Sequence, residues 1–283
     1  MERTQPKGNV LLRALRKVVG LAGILYLALC AFMALFQRSL IYHPTVVSPA
    51  QVEQRAQAAR LVRWHDAAHQ MIGFQRAASG APARGSILIL HGNAGSATGS
   101  SFYAETLQRI APFDAYLLEY PGFQDRPGSP SERSLFQAAA EALQALPTNA
   151  PVYVVGESLG SGVAAYLAGT FPHHIAGLLL LSPFNDLASV GQYQYPMLPV
   201  SLLLRDRFPS ATLLRNYRGP VAVVVDGRDT VVPEQFGLRL YESYAGPKRL
   251  WRFPNGVHTQ ITAPPEVFWN EVITFWQNPG VTP

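Results

Sequence analysis

A chain of 283 residues has room for one large domain or two small ones, and with 48% hydrophobic and 14% charged residues it can bury a sizeable core and still have apolar sequence to spare. The net charge of +5 would suit nucleic acid, but Arg3, Lys7, Arg13, Arg16 and Lys17 supply most of it, so the rest is almost neutral and no basic stripe remains to follow a phosphate backbone. The single cysteine, Cys30, excludes an intrachain disulfide and a cysteine-rich metal site.

The spare apolar sequence lies at 18–37, VVGLAGILYLALCAFMALFQ, a charge-free run that as a helix spans roughly 30 Å, the thickness of a bilayer core. The basic cluster at 1–17 precedes it and only Arg38 follows at once, so the positive-inside rule places the N-terminus in the cytoplasm. Everything from Ser39 onward is then expected on the outer, periplasmic or extracytoplasmic, side of a single-pass membrane protein. A cleaved signal peptide is the rival reading, although its apolar core runs only about 7 to 15 residues. Lipidation at Cys30 would want a small residue where Leu29 stands, and a buried core helix is rarely apolar on every face. Residues 38–62 read as a membrane-proximal connection, amphipathic around 52–61, with edge strands near 63–77.

From Gly85 onward, short β-rich runs at 86–90, 115–120, 152–155, 176–181, 221–225 and 248–253 alternate with helix-length segments at 101–110, 131–146, 159–170, 233–244 and 264–276. That alternation is the signature of a mostly parallel sheet covered on both faces. Ser131 is a good cap residue, and Pro233 and Pro264 stand where a first-turn proline is tolerated. Since the alternation continues to residue 277, residues 63–283 are expected to form one domain.

Within it, Gly156-Glu157-Ser158-Leu159-Gly160 follows an apolar strand and opens a helix. The tight strand-to-helix turn needs small flanking residues, and it presents Ser158 at a helix N-terminus, where free N–H groups favour developing negative charge. A serine hydroxyl needs a base within hydrogen-bond reach to act as a nucleophile. Of seven histidines, His258 lies in a turn just after the last strand, where its loop can reach Ser158. The base in turn needs an acid, an effect worth roughly 10⁴ in rate in the serine-protease template. Asp226 and Asp229 both follow the strand at 221–225. Asp226 ends the strand and suits a turn cap, whereas Asp229 reaches the following loop and precedes His258 in the order Ser, Asp, His. Two N–H donors are needed for the oxyanion, each worth roughly 3 kcal/mol. The backbone N–H of Leu159 is one candidate, and that of Asn93 in His91-Gly92-Asn93-Ala94-Gly95 is the other, with His91 expected to hold that loop.

With H-G-N-A-G, Y-P-G-F, G-E-S-L-G-S-G, D-G-R-D-T-V-V-P and G-V-H in this order, residues 60–277 resemble the α/β-hydrolase family, and within it the branch of membrane-anchored serine hydrolases with a short lid. The resemblance implies an eight-stranded, mostly parallel sheet with helices on both faces, and hydrolysis through an acyl-enzyme without a cofactor or metal. Ser158, Asp229 and His258 match the family's catalytic positions, and Asn93 and Leu159 its oxyanion positions. Pro121 stands where this branch more often carries arginine.

The segment 184–219 leaves room only for a small lid, rich in Tyr193, Tyr195, Met197, Leu198, Leu202, Leu203 and Leu204. These residues either merely cover the sheet or, as the functional reading has it, line an acyl-chain pocket opening toward the bilayer, with Tyr193, Tyr195, Met197 and Leu198 touching substrate. The expected partners are therefore the membrane itself and an acylated small molecule, lipid or acyl-protein carrying an ester or thioester bond. A serine peptidase, a short-chain carboxylesterase and an inactive membrane-tethered scaffold are the alternatives.

Overall fold

The structure is a computed structural model that describes residues 7–80, 82–258 and 266–280. Runs of Val, Ile and Leu, which pack well on a pleated surface, form the strands. These are β1 (Val62–His65), β2 (Met71–Arg76), β3 (Ser86–Leu90), β4 (Asp114–Leu118), β5 (Val152–Glu157), β6 (Ile175–Leu181), β7 (Val221–Asp226) and β8 (Lys248–Phe253). They make one eight-stranded sheet in the order β1-β2-β4-β3-β5-β6-β7-β8. β2 pairs antiparallel with both β1 and β4, and every other pairing is parallel.

The helices are α1 (Lys7–Ile41), α2 (Pro49–Ala58), α3 (Ser101–Ile110), α4 (Glu132–Gln144), α5 (Leu159–Thr170), α6 (Leu187–Gln194), α7 (Val200–Leu203), α8 (Ser210–Leu213), α9 (Glu234–Ser243) and α10 (Glu266–Gln277). Alternate strand residues feed opposite faces of the sheet. Leu88, Leu90, Val154, Leu180 and Val223 meet α4, α5 and α9 on one side. Ile89, Leu117, Val155, Leu179 and Val224 meet α2, α3 and α10 on the other. Each such side chain is worth about 1.5–3 kcal/mol of burial, which is why the parallel strands read as near-continuous apolar runs.

The helix ends follow local chemistry. Ser131 caps α4 by accepting from the Ser134 N–H at 3.0 Å. Pro233 is extended rather than helical, so α9 starts one residue after it, and Pro264 lies outside the described residues.

Two departures from the sequence reading bear on function. The N-terminal helix does not stop at residue 37 but continues to Ile41, because Gln37 and Arg38 find partners elsewhere in the fold. The expected connection at 38–62 is itself packed into the domain: Tyr42, Val52, Ala56 and Leu61 are buried. Ser48 and Gln51 form a capping box that starts α2 there.

Among the described residues, α1 is the one helix long and apolar enough to cross a membrane. Only a small share of it is buried within the protein. A core helix of comparable length would be covered on most faces.

Candidate active site

Ser158 occupies the sharp turn between β5 and α5 with φ = +49°, a conformation rare for a residue bearing Cβ and maintained here by the packing around it. Gly160 makes that packing possible, since a Cβ there would stand 2.8 Å from the carbonyl oxygen of His91, at the end of β3. The turn brings the Ser158 hydroxyl to 3.0 Å from Nε2 of His258. Nδ1 of the same imidazole lies 2.6 Å from Oδ2 of Asp229. The other carboxylate oxygen of Asp229 accepts the backbone N–H groups of Val231 and Val232, both at 2.8 Å, which fixes its orientation. Asp226, the competing aspartate, ends β7 and accepts the Ser182 hydroxyl at 3.0 Å. The structure therefore brings Asp229, and not Asp226, to His258.

The loop after β3 lies beside Ser158. A Cβ on Gly92 would stand 3.1 Å from a carboxylate oxygen of Glu157, a tight contact that glycine avoids, and 3.4 Å from the Cβ of Ser158. Both ring nitrogens of His91 meet oxygens, the Gly92 carbonyl at 2.8 Å and the Glu119 carboxylate at 3.0 Å, so its imidazole is fully engaged in holding this loop. Glu119 is completely buried and also accepts the Ala97 N–H at 3.0 Å. Beneath Ser158, Glu157 accepts the hydroxyl of Tyr103 at 2.9 Å, and burial, reinforced by that carboxylate, pushes the Tyr103 phenol well above its ordinary range.

Above Ser158 opens a largely apolar cavity of about 570 Å³, within the range of roughly 300–1,000 Å³ usual for small-molecule sites. Ser158, Leu159 and Asn93 border it, so both candidate oxyanion residues adjoin it. Of the four lid residues expected at substrate, Tyr195 and Leu198 line the cavity. Tyr193 and Met197 do not: the Tyr193 ring packs edge-on against Phe236 and the Met197 side chain points to the surface, 82% exposed.

The sequence reading missed the wall formed by Met33, Gln37, Leu40 and Ile41 of α1. An apolar run read as lipid-facing gives no sign of which stripe meets protein. The one available signal was Gln37, a carboxamide closing an otherwise apolar run. Glu119 was missed as well, and its signal was a lone carboxylate at the end of an apolar strand.

A mostly parallel eight-stranded sheet, a serine at the β5 to α5 turn, and an acid and a histidine on the loops after β7 and β8 define an α/β hydrolase. The chain belongs to the α/β-hydrolase family: the family model described as the alpha/beta hydrolase fold matches residues 85–212. An uncharacterized protein of Mycobacterium tuberculosis is 33% identical over 258 residues, covering 85% of this chain and 87% of that one. The lysophosphatidylserine lipase ABHD12 of Danio rerio is 32% identical over 189 residues, which is 58% of this chain and 48% of that longer protein. Among solved structures, the esterase Pf2001 of Pyrococcus furiosus superposes with a TM-score of 0.63 at 16% identity, covering 84% of this chain and 96% of that one, a likeness of fold.

Proposed function

We propose that this hydrolase is membrane-anchored through α1 and cleaves carboxylic ester or thioester bonds of acylated, lipid-like substrates through an acyl-enzyme on Ser158. The observation that carries this reading is the hydrogen-bonded chain Ser158–His258–Asp229 at the floor of an apolar cavity. Further support comes from the α1 helix and from the similarity to a lipase that acts on lysophosphatidylserine.

In this mechanism the Ser158 Oγ attacks the substrate carbonyl carbon while Nε2 of His258 takes the hydroxyl proton. The carbonyl π electrons move to oxygen, and the oxyanion accepts hydrogen bonds from the backbone N–H groups of Asn93 and Leu159. Asp229 keeps the imidazole in the tautomer with its proton on Nδ1 and stabilises the imidazolium that forms. His258 next returns the proton to the departing alkoxide or thiolate, leaving the acyl group on Ser158. Water then attacks the acyl carbon, His258 takes its proton, and the carboxylic acid departs as Ser158 regains a hydrogen.

Orientation follows from the basic flank, with residues 1–17 in the cytoplasm and the catalytic domain outside. The test is hydrolysis of oxygen esters and thioesters of increasing acyl length by the full chain in lipid nanodiscs, beside Ser158→Ala. Rates that rise with chain length and vanish in the variant are expected. Turnover confined to short soluble esters would move a carboxylesterase to the front, and turnover of peptides alone would point to a peptidase.

A further inference from the structure

The α1 helix is joined to the lid along one stripe. Tyr26, Cys30, Met33, Gln37, Leu40 and Ile41 recur at three- and four-residue spacing, the geometry of a single helix face. At one end of the stripe the Tyr26 hydroxyl donates to the Met197 carbonyl at 2.8 Å. At the other, the buried Gln37 carboxamide donates to the Leu203 carbonyl at 3.1 Å and accepts the Arg205 N–H at 2.7 Å. Arg38 Nε donates to Asp206 at 3.1 Å.

These contacts fix the depth of the lid. Tyr26 lies eleven residues before Gln37, about 16 Å along a helix, and so well inside the charge-free run. With α1 crossing the bilayer as proposed above, a lid segment that meets Tyr26 sits at the level of lipid tails. Its surface suits that position: Met197 and Leu202 are each 82% exposed, beside the exposed Tyr195. So does its backbone, because irregular chain in lipid needs its polar groups satisfied from within. Besides the bond from Tyr26, the Gln192 side chain donates to the Leu198 carbonyl at 2.9 Å and accepts the Val200 N–H at 3.0 Å.

We propose that α1 is a working wall of the substrate site as well as a tether: its last turns complete the acyl cavity, whose mouth opens between α1 and the lid into the bilayer, so that a lipid's acyl chain reaches Ser158 sideways from the membrane. The cavity faces between α1 and the lid are apolar, through Met33 and Leu40 on one side and Leu198 and Leu203 on the other, and among the described residues no Asp, Glu, Lys or Arg lines it. Its occupant is therefore hydrocarbon. The proposal rests on the esterase reading for its chemistry, and its test separates the two.

The full chain and its Met33→Trp, Leu40→Trp and Leu35→Trp variants are placed in phosphatidylcholine nanodiscs, and rates are compared for palmitoyl and butyryl esters of one alcohol. Indole at 33 or 40 narrows the cavity, so the palmitoyl-to-butyryl rate ratio is expected to fall about tenfold or more, the scale on which apolar pockets discriminate chain length. Leu35 is 71% exposed and outside the cavity, so Leu35→Trp is expected to leave that ratio unchanged. Equal ratios in all four proteins would overturn the proposal. A second measurement stands without turnover: in the Ser158→Ala chain, a palmitate carrying a terminal diazirine should cross-link saturably to the peptide spanning 33–41. If no ester is hydrolysed but that cross-link forms, the esterase reading fails and the wall stands. Labelling that does not saturate, or that spreads alike over the outward face of α1, overturns the wall.

Discussion

The side-chain amide of Asn93 donates to the carbonyl of Ile41, tying the loop beside Ser158 to the last residue of the long apolar helix. Its oxygen accepts the His43 N–H at 3.0 Å, so both ends of one carboxamide are spent on holding the helix end against the loop. The Thr45 hydroxyl adds a bond to the Ala94 carbonyl at 2.8 Å. The end of α1 and the loop after β3 are thus a single mechanical unit, and the position of the Asn93 N–H depends on its own side chain.

Asn93→Ala should accordingly slow the chemical step although the backbone donor remains. A displacement of about 1 Å in a positioned group can cost about 10² in rate, and the expected effect on a short soluble ester is a lower kcat with little change in KM. The Ile41 carbonyl loses its partner in the variant, so some stability goes too, about 1–3 kcal/mol. Steady-state kinetics beside thermal unfolding checks this, and a variant that melts earlier while keeping its kcat would disconnect the side chain from catalysis.

Asp229→Asn and Asp226→Asn should separate chemistry from structure. An amide at 229 can present an N–H to Nδ1 and favour the wrong imidazole tautomer, so a loss of up to about 10⁴ in kcat is expected, with the fold retained. At 226 the carboxylate accepts from Ser182, whereas Nδ1 of His258 meets Asp229, so the loss should appear in unfolding free energy, about 1–3 kcal/mol, with kcat within about tenfold of the parent. A comparable loss of kcat in both variants would mean that the two aspartates share one role.

The reasons some of this was legible in the sequence, and some was not, are physical. Ser158 could be assigned because a strand, a tight turn and a helix N-terminus impose local rules that five consecutive residues reveal. The helix 101–110 was bounded correctly because its apolar residues Tyr103, Ala104 and Leu107 keep helical spacing over a full turn. By contrast α7 and α8 have four residues each, too few to display any period. The stripe on α1 was hidden for the opposite reason: nearly every residue of the run before Gln37 is apolar, so positions that meet protein and positions that do not look alike. The burial of Tyr42, Val52 and Ala56 depends on partners far along the chain, which no local pattern announces.

Stability should fall above about pH 10, where unfolded phenols begin to ionise. Burial raises the phenols of Tyr103, Tyr120, Tyr217 and Tyr244 in the fold, aided at Tyr103 and Tyr120 by nearby carboxylates. A group whose folded value is raised contributes its full stability below the unfolded pKa and loses it as pH rises toward the folded value, here by about 1.4 kcal/mol per pH unit for each phenol. Tyr120 offers a clean probe, since its buried hydroxyl has no hydrogen-bond partner among the described residues. Tyr120→Phe should be neutral or stabilising by about 1 kcal/mol near pH 8, and should flatten the alkaline loss of stability. Urea unfolding across pH 8 to 11 tests both, and an unchanged alkaline slope would remove Tyr120 from the account.

Asp206 accepts from the Tyr42 hydroxyl at 3.0 Å and from Arg38. The two partners should not matter equally. Arg38 is 54% exposed, so its ion pair is screened by water and contributes little, whereas Tyr42 is buried and its hydroxyl has no access to solvent once Asp206 is removed. Asp206→Ala is therefore expected to cost about 1–3 kcal/mol, chiefly by stranding that hydroxyl, and to loosen the lid from the helix. Asp206→Asn keeps an acceptor for Tyr42 while discarding the charge, and should remain close to the parent protein. Thermal unfolding in nanodiscs, together with the rate of limited proteolysis between 195 and 207, distinguishes the two. If Asp206→Asn is as unstable and as readily cut as Asp206→Ala, the charge facing Arg38, and not the hydrogen bond from Tyr42, is what fastens the lid to α1.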